Sequence, residues 1–114
     1  MDRSTHYQVL IKEVLTRYAE LLVKGFPPIP YDVTLAFDDQ HQQYVLRKLG
    51  WVENDRIRHT ILHLTLKQGK IWIEEDWTEE GSATYLLEHG VPHADIVLGF
   101  QHPAMRPYTE FAVA

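Results

Sequence analysis

The sequence has no cysteine among its 114 residues. This absence excludes disulfide bonds, thiolate catalysis and every zinc or iron–sulfur site that needs a cysteine ligand. Long apolar runs are also missing, because runs such as 96–98 are only a few residues, whereas a membrane-spanning helix needs about 20. Charged residues interrupt the first twenty positions, unlike in a signal peptide. We therefore expect a cytoplasmic protein with no membrane contact.

Motifs that mark catalysis are missing as well. The two serines are not part of a Gly-x-Ser-x-Gly elbow, and there is no glycine-rich phosphate loop. Seven histidines are present, but none forms the His-Glu-x-x-His pattern of zinc enzymes. No Asp-x-Lys or Glu-x-Lys, as in restriction-like nucleases, occurs. The sequence thus predicts a protein that is not an enzyme, with no catalytic residue, metal ligand or cofactor.

The composition is that of an ordinary globular domain, with 45% hydrophobic and 24% charged residues. A chain of this length suits one domain and buries enough surface for a core of its own. No repeat, low-complexity tract or linker divides it. We therefore treat 1–114 as a single domain.

The first segment has the 3,4 spacing of an amphipathic helix. Thr5 and Gln8 fit a capping box, and Gly25 with the prolines that follow ends the helix. The apolar stripe is too short for a coiled coil, so we expect this helix to pack on a sheet. Its members are Tyr7, Leu10, Ile11, Val14, Leu15, Tyr18, Leu21 and Leu22.

From residue 31 to 76 the apolar period changes to two, which predicts strands. Strands are expected around 33–37, at 43–52 with a break near Gly50, at 57–67 and at 70–75. Gln68-Gly69 fits a two-residue hairpin turn in which glycine accepts positive φ. Sequential strands joined by tight turns predict an antiparallel meander.

A second, shorter helix is expected after the strands. Thr78 is the predicted N-cap, Glu79 and Glu80 would occupy the first turn, and Gly90 ends the helix. Two prolines after Phe100 favour an irregular C-terminal arm. The predicted fold class is therefore α+β: an N-terminal amphipathic helix packed on an antiparallel sheet of four or more strands, a second short helix and a C-terminal arm.

The net charge of −5 is unevenly distributed. Residues 1–73 hold ten basic and eight acidic side chains, whereas residues 74–114 hold one and eight. The densest acidic stretch offers one alternative, a divalent-metal enzyme that uses Glu74, Asp76 and Glu79. Strand alternation would send Glu74 and Asp76 to the same face. The simpler interpretation is a strand end followed by an acidic helix start.

The basic side chains concentrate on the predicted meander, which offers a second alternative, direct nucleic-acid binding. Alternation would send Arg47 and Lys48 to opposite faces, so the simpler interpretation is a solvated edge. The group comprises Arg47, Lys48, Arg56, Arg58, Lys67 and Lys70, of which the first four are the candidate contacts.

Short motifs along nearly the whole chain give a resemblance to a known family. They include Phe37-Asp38-Asp39, Tyr44, Gly50-Trp51, His63, 69–73, Asp76 with Thr78-Glu79, 90–92, 95–98 and the ending 106–114. In this order they resemble the XisI family, the fdxN-element excision controlling factors of cyanobacteria. The resemblance implies a role in developmentally controlled excision of a DNA element in heterocyst-forming cells. It also implies action beside a separate recombinase and an XisH-like protein, without catalytic residues of its own.

These observations predict an accessory factor that works through a protein partner and contacts DNA only indirectly or weakly. The acidic candidates for partner binding are Asp76, Thr78 and Glu79. The arm contributes Arg106, Tyr108, Thr109 and Glu110, because polar residues on irregular segments often serve recognition. Arg106 has an alternative role, pairing with the acidic helix start. The apolar last residues suggest a homodimer.

Overall fold

The computed structural model describes residues 2–114 and contains two helices and one sheet. The helices are α1 (Arg3–Val23) and α2 (Ser82–Glu88). The strands are β1 (Tyr31–Asp38), β2 (Gln43–Val52), β3 (Asp55–Lys67), β4 (Lys70–Asp76) and β5 (Ile96–Leu98). Single 3-10 turns lie at His93–Asp95 and Arg106–Tyr108.

The five strands form one sheet in the order β1-β2-β3-β4-β5. The first four pair antiparallel as consecutive neighbours, whereas β5 pairs parallel with β4. This arrangement confirms the α+β class and the predicted meander. The parallel fifth strand makes the sheet mixed, because the chain crosses over through α2 before it returns beside β4.

Helix α1 begins earlier than the capping box predicted. Asp2, not Thr5, is the N-cap: its carboxylate accepts a hydrogen bond from the Thr5 amide at 2.8 Å. The same hydrogen bond holds the pKa of Asp2 below its usual value. The helix ends before Gly25, as expected, with Lys24 as its C-cap.

The hydrophobic core lies between the helices and one face of the sheet, here called the helix face. Helix α1 packs on β1, β2 and β3, and α2 packs on β4 and touches α1. The predicted packing of α1 on a sheet is thus confirmed. The side chains that are almost wholly buried include Ile11, Val14, Leu15, Tyr44, Leu46, Leu62, Leu64, Ile71, Ile73, Leu86, Val91 and Ile96.

The β3–β4 turn follows the sequence prediction. Gln68 and Gly69 have φ of 55° and 74°, a two-residue turn with both residues left-handed. Glycine suits this conformation because an L side chain is strained at positive φ. β2 is not broken at Gly50; its pairing with β3 shifts instead between Leu46 and Arg47.

Helix α2 starts later than expected. It begins at Ser82 after Gly81, whose φ is 84° and which supplies no side-chain cap. The predicted N-cap role of Thr78 is therefore wrong, and Glu79 and Glu80 lie in the loop before the helix. The physical reason is that Asp76 organises this loop through its own hydrogen bonds, as described below.

The C-terminal arm packs on its own chain. Ala112 forms a bridge beside Val97, with its amide donating to the carbonyl of Ile96 at 2.9 Å. Phe111 packs partly against the core. The arm thus covers the outer edge of β5 within the same chain.

No helix within residues 2–114 is both long enough and apolar enough to cross a membrane.

Candidate functional site

The loop between β4 and α2 is organised by the carboxylate of Asp76. One oxygen accepts from the amide and hydroxyl of Thr78 at 2.9 and 2.5 Å. The other accepts from the amide and hydroxyl of Ser82 at 2.7 and 2.8 Å. The hydroxyl of Thr78 then accepts from the Gly81 amide at 3.1 Å. The segment Trp77–Gly81, here called the acidic loop, is therefore held at both ends by one side chain.

The acidic loop presents a large aromatic side chain to solvent. Trp77 is 66% exposed, yet its indole N–H donates to the carboxylate of Glu75 at 2.8 Å. Its ring also lies 5.5 Å from the ring of His59. These contacts restrain an exposed tryptophan, which is the residue type most often found at the energetic centre of protein interfaces.

A groove of about 610 Å³ opens between the acidic loop, α2 and the C-terminal half of α1. Its volume falls in the range of ligand-binding clefts. Apolar and aromatic side chains line it from all three elements, and carboxylates occupy its rim. The lining residues are Arg17, Tyr18, Leu21, Leu22, Ile61, Trp77, Thr78, Glu79, Glu80, Tyr85, Glu88 and His89.

Two aromatic side chains complete the groove. Burial raises the pKa of Tyr18, and the nearby carboxylates of Asp76 and Glu80 act in the same direction. Tyr85 stacks on His89 with ring centroids 4.0 Å apart.

The carboxylates near Asp76 do not form a metal site in the described part of the chain. A β-bulge between His63 and Leu64 leaves Glu74 out of register and pairs Asp76 with Leu62. The alternation expected to bring Glu74 and Asp76 to one face is therefore wrong. Across residues 2–114, no three His, Asp or Glu side chains converge closely enough to hold a metal ion. The alternative that used Glu74, Asp76 and Glu79 as ligands loses its geometric basis.

Arg106 is buried within the C-terminal arm. It is 9% exposed and donates to the carbonyls of Gln101, Gly99 and Val113 at 3.1 to 3.3 Å. Its guanidinium also lies 5.1 Å from the centre of the Trp72 ring. The alternative in which Arg106 pairs with the acidic helix start is wrong, because backbone carbonyls of the arm occupy its donors.

The other arm candidates lie near the surface beside Arg106. Tyr108 is 84% exposed. The hydroxyl of Thr109 donates to the Arg106 carbonyl at 2.8 Å, so it holds the 3-10 turn. Glu110 is exposed and lies 3.5 Å from the ring nitrogen of His93. Their roles in partner binding stay predictions.

Basic side chains gather on the sheet face opposite the helices, here called the open face. Leu49 pairs with Arg58, and Trp51 pairs with Arg56. Because directly paired residues project to the same side, and alternate residues of one strand do too, Arg47 shares that side with Arg56 and Arg58.

Lys48 projects to the helix face, as expected, where its ammonium lies 5.2 Å from the centre of the Tyr31 ring. The predicted opposition of Arg47 and Lys48 therefore holds.

The open face nevertheless gathers most of the basic group. Alternation along β3 and β4 places Lys67 there with Trp72, and their ammonium-to-ring distance is 4.4 Å. Trp51 is 59% exposed beside Arg56.

Sequence reasoning found the acidic loop but missed the groove. Trp77, Tyr18 and Tyr85 come from a loop and two helices that are distant in the chain. One local signal was present: a tryptophan set inside a run of carboxylates, directly after an amphipathic strand. A bulky apolar side chain at the end of such a strand lies beyond the hydrophobic core and is left exposed.

Fold and surfaces together define a class of protein: a small α+β domain with an aromatic-lined groove on one side of its sheet and a group of basic side chains on the other. A family model described as "XisI protein" matches residues 1–113. The chain therefore belongs to the XisI family.

Two solved structures from Anabaena variabilis ATCC 29413 are similar to this chain. One, the fdxN element excision controlling factor XisI, is 41% identical, with a TM-score of 0.86 over 99% of this chain and 100% of that one. The other, a XisI-like protein, is 36% identical, with a TM-score of 0.89 over 97% of this chain and 99% of that one. No curated protein matches.

Proposed function

We propose that this chain is a controlling factor for excision of a DNA element that acts through a protein partner rather than by catalysis. The family relationship supports the process, since one similar structure is described as an excision controlling factor. The expected partner is an XisH-like protein.

The observation that carries the proposal is the construction of the acidic loop. A single carboxylate, Asp76, fixes the loop through four hydrogen bonds and leaves Trp77, Glu79 and Glu80 facing solvent. A restrained and exposed tryptophan offers an anchor for a partner surface, because tryptophan is enriched at the energetic centres of interfaces. Preorganisation also lowers the entropic cost of binding.

The test is co-purification with an XisH-like protein from the same cell, with and without nuclease treatment. A complex that survives nuclease, and that fails to form when Trp77, Glu79 and Glu80 are replaced together, supports the proposal. No complex under either condition contradicts it. The replacements lie on an exposed loop, so the urea midpoint of the variant serves as the folding control.

A second candidate function is direct nucleic-acid contact through the open face. The observation that favours it is that Arg47, Arg56 and Arg58 share one sheet face with the exposed Trp51. Guanidinium groups neutralise phosphates, and an exposed ring on a sheet offers a stacking platform for a base.

This candidate predicts binding that weakens steeply with salt. Replacing Arg56 and Arg58 with glutamine should reduce the slope of log affinity against log salt by about one for each lost phosphate contact. Fluorescence anisotropy with labelled single-stranded and duplex DNA measures this slope. Arg17→Gln in α1, which packs on the other side of the sheet, is the matched control. An unchanged slope in the double variant would reject the open face as the contact surface.

A further inference from the structure

We propose that the groove beside the acidic loop receives a lysine or arginine side chain from a basic segment of the partner protein. This inference rests on the proposed function, because it names the chemistry of the partner at the same loop. Its basis is the combination of aromatic and apolar side chains in the lining with exposed carboxylates that form no ion pair within residues 2–114.

The walls suit the long stem and the charged end of a basic side chain. Trp77, Tyr18 and Tyr85 line the groove together with Leu21 and Leu22. A cation within about 6 Å of an aromatic ring centre is attracted by the ring's negative face, and tryptophan is the strongest such partner. The methylene groups of lysine or arginine pack along apolar side chains, while the charged group at their end stays near polar groups or water.

The rim has the charge to attract such a group. Glu79, Glu80 and Glu88 stand at the groove against one basic side chain, Arg17. None of these three carboxylates has a basic side chain within ion-pair distance elsewhere in residues 2–114. The exposed charge therefore remains available to an incoming cation, and its field steers a basic partner toward the groove.

A basic side chain explains the site better than a bare metal ion or an apolar segment. The lining offers aromatic carbon rather than a convergent set of oxygen ligands, and residues 2–114 contain no such set. An apolar segment would desolvate the rim carboxylates without giving them a partner, which carries a free-energy cost.

The experiment uses the full chain and a short amphipathic peptide that contains arginine, leucine and alanine. The matched peptide carries citrulline, which has the same shape without the charge, in place of each arginine. Calorimetry measures the affinity of each peptide. Changes in the NMR chemical shifts of the backbone amides and of the indole N–H groups show where the peptide binds. We expect shifts at the Trp77 indole and at the amides of Glu79 and Glu80, and affinity that falls as salt rises.

Three variants test the residues. Trp77→Ala and the combination Glu79→Gln with Glu80→Gln should each weaken the peptide by about tenfold, as for residues at the centre of an interface. Trp77→Phe should keep most of the affinity, because it retains an aromatic face. The controls are Trp51→Ala, an exposed tryptophan on the opposite side of the sheet, and Glu53→Gln, an exposed carboxylate in the β2–β3 turn.

The outcomes separate this inference from the proposed function. Equal affinity for the citrulline peptide, or shifts located away from the groove, overturns the inference. Loss of a dimer of this chain on Trp77→Ala also overturns it, because the occupant would then be a second copy. If the complex with an XisH-like protein forms equally well with the Trp77 and glutamate variants, the groove is not the binding site for the partner, while the proposed function stands. If the peptide binds specifically in the groove but no complex with an XisH-like protein forms, the groove is supported as a site for basic side chains and the proposed partner is rejected.

Discussion

Removing the carboxylate of Asp76 should both destabilise the fold and release the acidic loop. In Asp76→Ala, the amide and hydroxyl of Ser82 lose their acceptor, and Ser82 is 0% exposed. The two donors of Thr78 lose theirs as well. Thr78 is only half-buried, so water can replace part of its loss.

The magnitude follows from the buried donors. An unpaired buried donor costs about 1–3 kcal/mol, so the two groups of Ser82 together account for about 3 kcal/mol. For a domain of this size, each kcal/mol shifts Tm by about 4–5 °C, which gives a decrease of about 12–15 °C. Asp76→Asn should cost only about 1 kcal/mol, because its single amide oxygen can still accept from Ser82.

Urea unfolding followed by circular dichroism measures the free energy of unfolding, and hydrogen exchange at the Ser82 amide reports on the loop. Exchange there should accelerate in Asp76→Ala with little change in the centre of β3. Glu75→Ala is the control, because it removes only the acceptor of the Trp77 indole. A loss below about 1 kcal/mol for Asp76→Ala would refute the anchoring role.

Three further predictions concern the arm, the tyrosines and the core. Arg106→Ala should lower the free energy of unfolding by about 2–3 kcal/mol in urea titrations, and Arg106→Lys should not restore it, because lysine lacks the planar fork that reaches separate carbonyls. The pKa values of Tyr7 and Tyr44 are raised to about 12 by burial and by the carboxylates they contact, so ultraviolet titration should show at least two late-ionising tyrosines. A folded-state pKa above the unfolded value of 10 stabilises the fold below pH 10, and this contribution should disappear as pH rises towards 12; an unfolding free energy that is flat across that interval would contradict the assignment. Leu64→Ala, at a fully buried position, should cost about 2–5 kcal/mol, and a loss near zero would place Leu64 outside the core.

The strands joined by short turns were predictable because their signals are local. β2 spans Gln43–Val52 as alternation indicated, and the Gln68-Gly69 turn fixes the register of β3 and β4. The end of α1 was equally clear from glycine and proline. Helix starts were less predictable, because several residues near each start are able to cap. Asp2 displaced Thr5 in α1, and Asp76 fixed the loop before α2 in place of a cap by Thr78.

The candidate site divides in the same way. The carboxylates of the acidic loop were identified from composition, and Glu79 is exposed as a contact residue must be. Asp76 and Thr78 also hold the loop, a structural role that depends on hydrogen bonds to Ser82 and Gly81. A count of charges along the chain contains no information about which of them a neighbouring backbone amide will engage.

The sequence by itself determined the order of the helices and the first four strands, the apolar face of α1 and the separation of basic and acidic halves, because each depends on neighbours within a few residues. Tertiary structure alone decided that β5 pairs parallel with β4, that Arg106 is buried in the arm, and that Tyr18, Trp77 and Tyr85 meet in one groove. It also placed most of the basic side chains of β2, β3 and β4 on the open face, and the carboxylate-rimmed groove on the helix side of the sheet. These features arise from contacts between residues far apart in the chain, and their geometry depends on how the helices and sheet pack together.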